Sequence, residues 1–504
     1  HYEAAMARLE AIHRDLRVDE FQASFMDDKL EVYEAAVRLA LRRGDVEAAF
    51  DYVEQAKAGA LLDLLSRELE LPVEAGNELL QRLQALREQW HWHASQLEGH
   101  APGKDNDPVL SEDEGTFRSG EPVPRTTLRD IEHELSEMWR RLRLEEHRYT
   151  ILGGERRLSL GEVQARLPDD TVLLEYYAVG DKVLVFLIRH HDIQVIELEA
   201  TADEVEMLIA TWRFDLDSLR LMLPDLSPAE MAALEFDSQF YLQELYQALI
   251  APLYEQLAPY DRLVVVPHGP LHYLPFAALH DGQNYLMEHV QVSYLPGASL
   301  LQDETSEVST DLGGLSRPLI LAHTDGGRLP HTLDEARQVV AALRGAETFT
   351  EDDATEARLR EYGPTCGLLH LATHGAFRAD NPLFSWLRLA DIRLTVRDIY
   401  GLQLPYASLV TLSACETGLG DLRGGDVLGL TQGFLAAGAR SLLLSLWAVD
   451  DVSTAQLMTA FYQRLAAGQP KASALQKAQQ EIRRIHPHPF YWAGFVLIGE
   501  IERL

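Results

Sequence analysis

From Arg262 onward, short apolar segments alternate with amphipathic helical patterns, and this alternation restricts the fold more than any other feature of the chain. Leu263–Pro267, Pro318–Ala322, Gly367–Ala372, Ser408–Ala414, Ser441–Trp447 and Phe495–Ile498 read as strands. Apolar runs of this length suit strands buried on both faces. Helices are predicted between them at Thr332–Arg344, Gly425–Ala437, Val452–Ala467 and Lys471–Ile485. Strands and helices in turn imply a mostly parallel sheet covered by helices on both faces. In such sheets the functional groups sit in loops at the carboxyl ends of strands.

Upstream, Thr171–Tyr177 and Lys182–Arg189 form a predicted hairpin around the Gly180-Asp181 turn. Helices near Ala202–Leu221 and Ser227–Leu257 follow it. These elements give an α/β domain over 151–504, with an N-terminal half of about 151–300 and a C-terminal half of about 301–504. Residues 1–150 read as helix throughout. Leu30, Tyr33, Val37, Ala40 and Leu41 fall at helical spacing, Gly44 and Asp45 interrupt them, and Ala48 to Ala56 resume. Two such helices over about 28–62 look like one tetratricopeptide unit, which needs neighbours to bury its open face. Two longer patterns, Glu78–Leu97 and Thr127–Tyr149, predict an antiparallel hairpin over about 78–149. The polar, acidic stretch 98–125 between them predicts a mobile loop.

The chain carries 45 basic and 79 acidic residues, a formal net charge of −34. A polyanion is repelled by nucleic-acid phosphates and anionic lipid heads, so neither is an expected partner. No apolar run is long enough for a membrane helix, and no signal peptide opens the sequence. Position 1 is His rather than Met, which suggests a piece of a longer protein. Its two cysteines, Cys366 and Cys415, are too few for a disulfide framework and fit a reducing, cytoplasmic compartment. A rare cysteine in an intracellular enzyme is a candidate nucleophile.

Two predicted strand ends hold reactive groups. Gly367–Thr373 runs into His374-Gly375, and Leu409–Ala414 runs into Cys415. If those strands are parallel neighbours, an imidazole and a thiol emerge at one rim, the arrangement a cysteine protease needs. The backbone N–H groups of Gly375 and Cys415 are then the candidate oxyanion donors. Taken singly, each group has a plainer reading, because strand-end histidines are common and buried cysteines usually act as small hydrophobes. His268 and His272 are read as structural. His370 and Thr373 are expected to pack beneath the catalytic loop, and Cys366 to be inert. His91/His93 and His486/His488 lack further ligands at metal spacing, so no metal and no cofactor is expected. A nucleotide site is disfavoured too, since Arg423 stands where a dinucleotide fingerprint needs its third glycine.

His370-Leu-Ala-Thr-His374-Gly-Ala-Phe377 and Ser413-Ala-Cys415-Glu-Thr-Gly418 closely resemble the CHAT proteases, caspase-like domains associated with tetratricopeptide repeats. The resemblance continues through Gly425–Leu430, Phe434–Arg440, Ser445–Asp451, His488–Phe495 and Val264–Phe276, roughly the last half of the chain. Asp426 replaces the family's usual glutamate. The likeness implies an α/β caspase-like sandwich, preceded here by an all-α region. It also implies a dyad of His374 as acid/base and Cys415 as nucleophile, with no metal in the chemistry.

For the substrate pocket, the acidic groups near the predicted rim are Asp421, Asp426, Asp450 and Asp451, which would select Arg or Lys. Against that, Asp450 and Asp451 precede a helix, and Asp451 suits its N-cap. The expected function is a cysteine endopeptidase cutting a protein substrate, restrained by its helical region and by a regulatory partner there. The resemblance suggests a bacterial defence or signalling setting, with a gasdermin-like or other effector as substrate. A non-catalytic scaffold with a caspase-like interaction domain is the alternative.

Overall fold

A computed structural model of the chain describes residues 30–65, scattered positions within 82–93 and 128–138, and then 158–223, 226–301, 317–329, 331–343, 345–376, 382–413 and 425–501. Two compact units emerge, one built of 3–29 and 67–155, the other of 30–66 and 156–504. In the first unit, helical residues of 82–93 and 128–138 are joined by polar contacts. Trp90 Nε1 donates to Glu132 Oε1 at 3.0 Å, and Arg82 pairs with Glu134 at 2.6 Å. The expected loop 98–125 lies outside the described residues.

The second unit begins with α1 (Leu30–Arg42), α2 (Val46–Leu65), α3 (Leu160–Arg166), β1 (Thr171–Val179), β2 (Lys182–Ile188) and β3 (Ile193–Thr201). Next come α4 (Ala202–Met222), α5 (Pro228–Leu249), β4 (Arg262–Val266), β5 (Gln291–Tyr294), β6 (Pro318–Ala322), α6 (Thr332–Ala342) and β7 (Glu347–Thr350). They are followed by α7 (Glu356–Tyr362), β8 (Leu368–Ala372), β9 (Gly375–Ala376), β10 (Trp386–Arg388), β11 (Arg393–Thr395), α8 (Val396–Tyr400) and β12 (Leu409–Ser413). The last elements are α9 (Gly425–Ala436), β13 (Ser441–Ser445), α10 (Asp451–Ala466), α11 (Lys471–Ile485) and β14 (Phe495–Gly499).

Eleven strands form one sheet in the order β3-β2-β1-β4-β5-β14-β13-β12-β8-β6-β7. The central strands β4, β8, β12 and β13 are almost wholly buried, as their unbroken apolar sequences require. The run from β13 to β7 is parallel throughout, whereas β1, β2 and β3 pair antiparallel and β14 runs antiparallel to β13. A large mixed, mostly parallel sheet flanked by helices is therefore the architecture, as the strand–helix alternation predicts. Helices α6 and α10 cover the face to which His370 and Thr411 point, for Glu335 and Tyr462 reach those side chains. A second, three-stranded sheet, β11-β10-β9, sits over the carboxyl end of β8.

The α1–α2 hairpin turns at Gly44, whose φ of +72° favours glycine, and Asp45 caps α2 by accepting from Ala48 N at 3.1 Å. This pair has the form of a tetratricopeptide unit and belongs to the same compact unit as the α/β sheet. Its anchors are ionic. Glu34 accepts from Gly180 N in the β1–β2 turn, and Glu54, 2% exposed, accepts from Ala298 N and Ser299 N at 3.1 and 2.7 Å. Lys57 lies 3.1 Å from Glu175, a fully buried carboxyl on β1. Burial raises the Glu175 carboxyl well above the ordinary range; Lys57 opposes that rise, and Glu54 beside it adds to it.

Removing Lys57 leaves Glu175 buried without its cation. Lys57→Met should therefore cost ~3 kcal/mol of unfolding free energy at neutral pH. Both chains lose stability as pH rises past the unfolded carboxyl value, but the wild type stops losing it first, at the folded value that Lys57 holds lower, so the deficit should be larger at pH 8 than at pH 5. Adding Glu175→Gln should restore most of it. Denaturant melts of the three variants at both pH values check this, and a Lys57→Met deficit independent of pH would contradict it.

Candidate active site

Strand β8 pairs in parallel with β12, with Ala372 opposite Ser413. The two strands therefore end level at one edge of the sheet. Thr373 N donates to Ser413 O at 3.2 Å, which carries the pairing one residue past the end of β8. His374 is the next residue. Cys415 follows Ser413 by two positions and lies outside the described residues. Asp421 lies outside them as well, as does the side chain of Asp426 at the start of α9.

His374 is half-buried, and among the described residues its Nε2 has no hydrogen-bond partner although it is shielded from solvent. The turn that holds it is tied down from β10. Arg388 N donates to His374 O at 2.7 Å, and the Thr373 hydroxyl donates to Arg388 O. The Arg388 side chain reaches Asp325 at 3.5 Å, in the loop after β6. That loop bends through Asp325, Gly326 and Gly327, all at positive φ. Its start, His323, donates its backbone N–H to Ala372 O at 3.0 Å.

Gly375 pairs with Leu387 in an antiparallel register. The Arg388-to-His374 bond fixes 374/388 as a hydrogen-bonded pair, so 375/387 is a non-hydrogen-bonded one. The N–H of Gly375 therefore points away from β10. Gly375 is buried, and since β9 is the edge strand of its sheet among the described residues, that N–H is left out of the sheet's ladder. An oxyanion donor has to present itself in this way.

The two described acidic candidates differ. Asp450 is the N-cap of α10 and accepts from Ser453 N at 2.9 Å, so the cap falls one residue earlier than expected and Asp451 opens the helix. The Asp450 carboxylate is thus engaged by its own helix. Asp451 is half-buried. Burial raises its carboxyl, as do nearby Asp450 and Glu335, while His331 and His374 pull it down. Asp451 therefore sits within the electrostatic field of His374.

Beneath the rim, His370 and Thr373 are buried at 0% and 1% exposure. His370 Nε2 lies 3.2 Å from Glu335 Oε1, and Glu335 Oε2 accepts from Ser413 Oγ at 3.0 Å. Sequence reading passed over Glu335, Asp325 and Arg388. The only signal was indirect, since a histidine in an otherwise apolar strand must find a partner. Cys366 is buried, and burial pushes its thiol up to about 12, too high for a nucleophile at neutral pH. Among the described residues one group of three metal-binding types gathers, Asp169, His190 and His191, at exposed turns beside β1 and β2. Among them, too, no helix is long and apolar enough to cross a membrane.

The family model for the CHAT domain matches residues 239–500. Human tetratricopeptide repeat protein 28 is 27% identical over 327 residues, and its mouse counterpart 26%. In each case the match takes in 52% of this chain but only 13% of the relative. Two crystal structures of the Saccharomyces cerevisiae separase–securin complex are similar at a TM-score of 0.48, with 10% and 11% identity. They cover 99% of this chain and 47% of the matched chain.

His268 and His272 fall inside the matched span but follow β4, in the other half of the sheet. Burial, with Lys57 close by, holds both imidazoles down at about 3, and His268 packs on the Tyr177 ring at 4.7 Å. Both are neutral in the folded state at any physiological pH. Below about pH 6.5 the unfolded chain takes up protons there and the folded chain does not, so stability falls as pH drops toward 3. The expected loss is about 1–2 kcal/mol per histidine by pH 5. His268→Gln and His272→Gln should flatten that acid limb in urea unfolding at pH 7 against pH 5. Unchanged limbs in both variants would rule out this source of acid sensitivity.

Proposed function

This chain belongs to the CHAT domain family, and on that premise we propose that it is a cysteine endopeptidase working through His374 and Cys415. The observation that carries the reading is the register Ala372↔Ser413. It brings the strand leading to His374 and the strand leading to Cys415 to a common end. A second support is the shielded Nε2 of His374, which has no hydrogen-bond partner among the described residues and is available to take and return a proton.

The chemistry follows from those groups. The Cys415 thiol gives its proton to His374, and the sulfur attacks the scissile carbonyl. The carbonyl oxygen becomes an oxyanion, stabilised by the N–H groups of Gly375 and Cys415. Collapse of this intermediate breaks the C–N bond, and His374 protonates the departing amine. A thioester remains. Water, deprotonated by His374, hydrolyses it, releasing the acid product and restoring the thiol.

A preference for Arg or Lys before the cut rests chiefly on Asp451, because Asp450 is committed to its helix cap. Asp421 and Asp426, which follow Cys415 in sequence, are further acidic candidates. The substrate is proposed to be a protein, a gasdermin-like or other effector in a bacterial defence or signalling pathway, acting in the cytoplasm. The helical region, with a partner protein bound there, is proposed to restrain the enzyme. Support for that arrangement comes from α2, whose Lys57 and Glu54 anchor it to the sheet domain.

Peptidyl acyloxymethyl ketones with Arg, Lys, Asp or Leu next to the warhead test the proposal directly. Intact-mass analysis should find one adduct on the wild-type chain, fastest with Arg or Lys, and none on Cys415→Ala. Cys415→Ala and His374→Ala should each lower hydrolysis of the matching peptide by about 10³-fold or more. An adduct that persists in Cys415→Ala, or a wild-type chain inert to every probe, would favour the scaffold alternative.

A further inference from the structure

We infer that Glu335, on α6, is a positioning residue for the proposed dyad, binding the ends of both catalytic strands to one carboxylate. The inference rests on the endopeptidase reading and adds to it a third, buried participant. Glu335 is 5% exposed and its two oxygens divide their work. Oε2 accepts the Ser413 hydroxyl on β12 at 3.0 Å, and Oε1 faces His370 Nε2 on β8 at 3.2 Å. Ser413 stands two residues before Cys415, and His370 four before His374.

Contacts on the other side of His370 strengthen the link. The Tyr462 hydroxyl, on α10, donates to Thr411 Oγ1 at 2.7 Å. The same hydroxyl lies 3.0 Å from His370 Nδ1. At the other end of the ring, Nε2 faces the Glu335 carboxylate. Oε1 stands 3.2 Å from that nitrogen, within ion-pairing distance though not in hydrogen-bonding geometry. Among the described residues, Tyr462 and Asp451 on α10 are titratable groups close enough to interact with Glu335. His370, Glu335, Tyr462, Thr411 and Ser413 thus form one connected buried network, which holds together only if the strand ends stay in register. Such networks fix geometry because any slip leaves buried polar atoms unpaired.

A slip at either strand end would separate His374 from Cys415. A cysteine paired with an imidazolium is a thiolate well below the free-thiol pKa, and one that loses its partner drifts back toward about 8.5. The test follows iodoacetamide alkylation of Cys415 against pH by intact mass on the full chain, with Cys415→Ala as blank. The buried Cys366 should not compete. The wild type should show a midpoint well below 8.5. Glu335→Ala should raise that midpoint by at least about one unit and slow alkylation at pH 6.5 by about tenfold. Glu335→Gln, which keeps an oxygen for Ser413 and an amide beside His370 Nε2, should stay near the wild type. If Glu335→Ala does not fold, Ser413→Ala removes the β12 link alone and should raise the midpoint in the same direction. A folded Glu335→Ala chain, or Ser413→Ala in its place, with the wild-type midpoint overturns the inference and leaves the dyad standing. A wild-type midpoint already near 8.5 would instead sink the dyad, and the inference with it.

Discussion

Two adjacent parallel strands, β8 and β12, set the terms for the rest of the molecule. Parallel neighbours cannot be joined by a tight turn, so the chain must leave the end of β8, cross over, and re-enter at the start of β12. Here the excursion carries the small sheet β9–β11 and helix α8, and it is spent close to the strand ends it connects. The small sheet holds the turn at His374 from above through Arg388, while α6 and α10 hold the strands from one face through Glu335 and Tyr462. The reactive rim is thereby gripped from two directions. Close-packed apolar strands alone would fix the height of the rim, and the polar ties fix its orientation.

Much of this was legible in the sequence. The apolar runs at Pro318–Ala322, Gly367–Ala372 and Ser441–Trp447 are strands within a residue or two, because a segment buried on both faces has nowhere else to go. The helices between them were equally clear from their periodicity. The elements that escaped reading are the ones whose surroundings are mixed. β7 is Glu347-Thr-Phe-Thr350 and β3 alternates polar and apolar residues, as edge strands do, so neither carries a strong apolar run. β5 is only four residues long. The antiparallel direction of β14 was hidden too, since its apolar sequence fits either orientation.

At the site, the strand-end position of His374 and the burial of His370 follow from pattern and spacing. The carboxylates were harder to place. Asp450 rather than Asp451 takes the helix cap, a difference of one residue that sequence preference cannot settle, because aspartate serves equally well at either position. Glu335 looks like one more acidic residue in the first turn of an amphipathic helix. Only the fold reveals that it faces inward, toward the Nε2 of a buried histidine.

One strand has a significance for synthesis. β14 lies between β5 and β13, yet it follows every other strand in the chain. As the polypeptide leaves the ribosome, a five-strand block and a five-strand block can form, each exposing an unsatisfied edge toward the gap that β14 will fill. The nascent protein must carry those two open edges until β14 emerges, and in that interval it is most prone to aggregate.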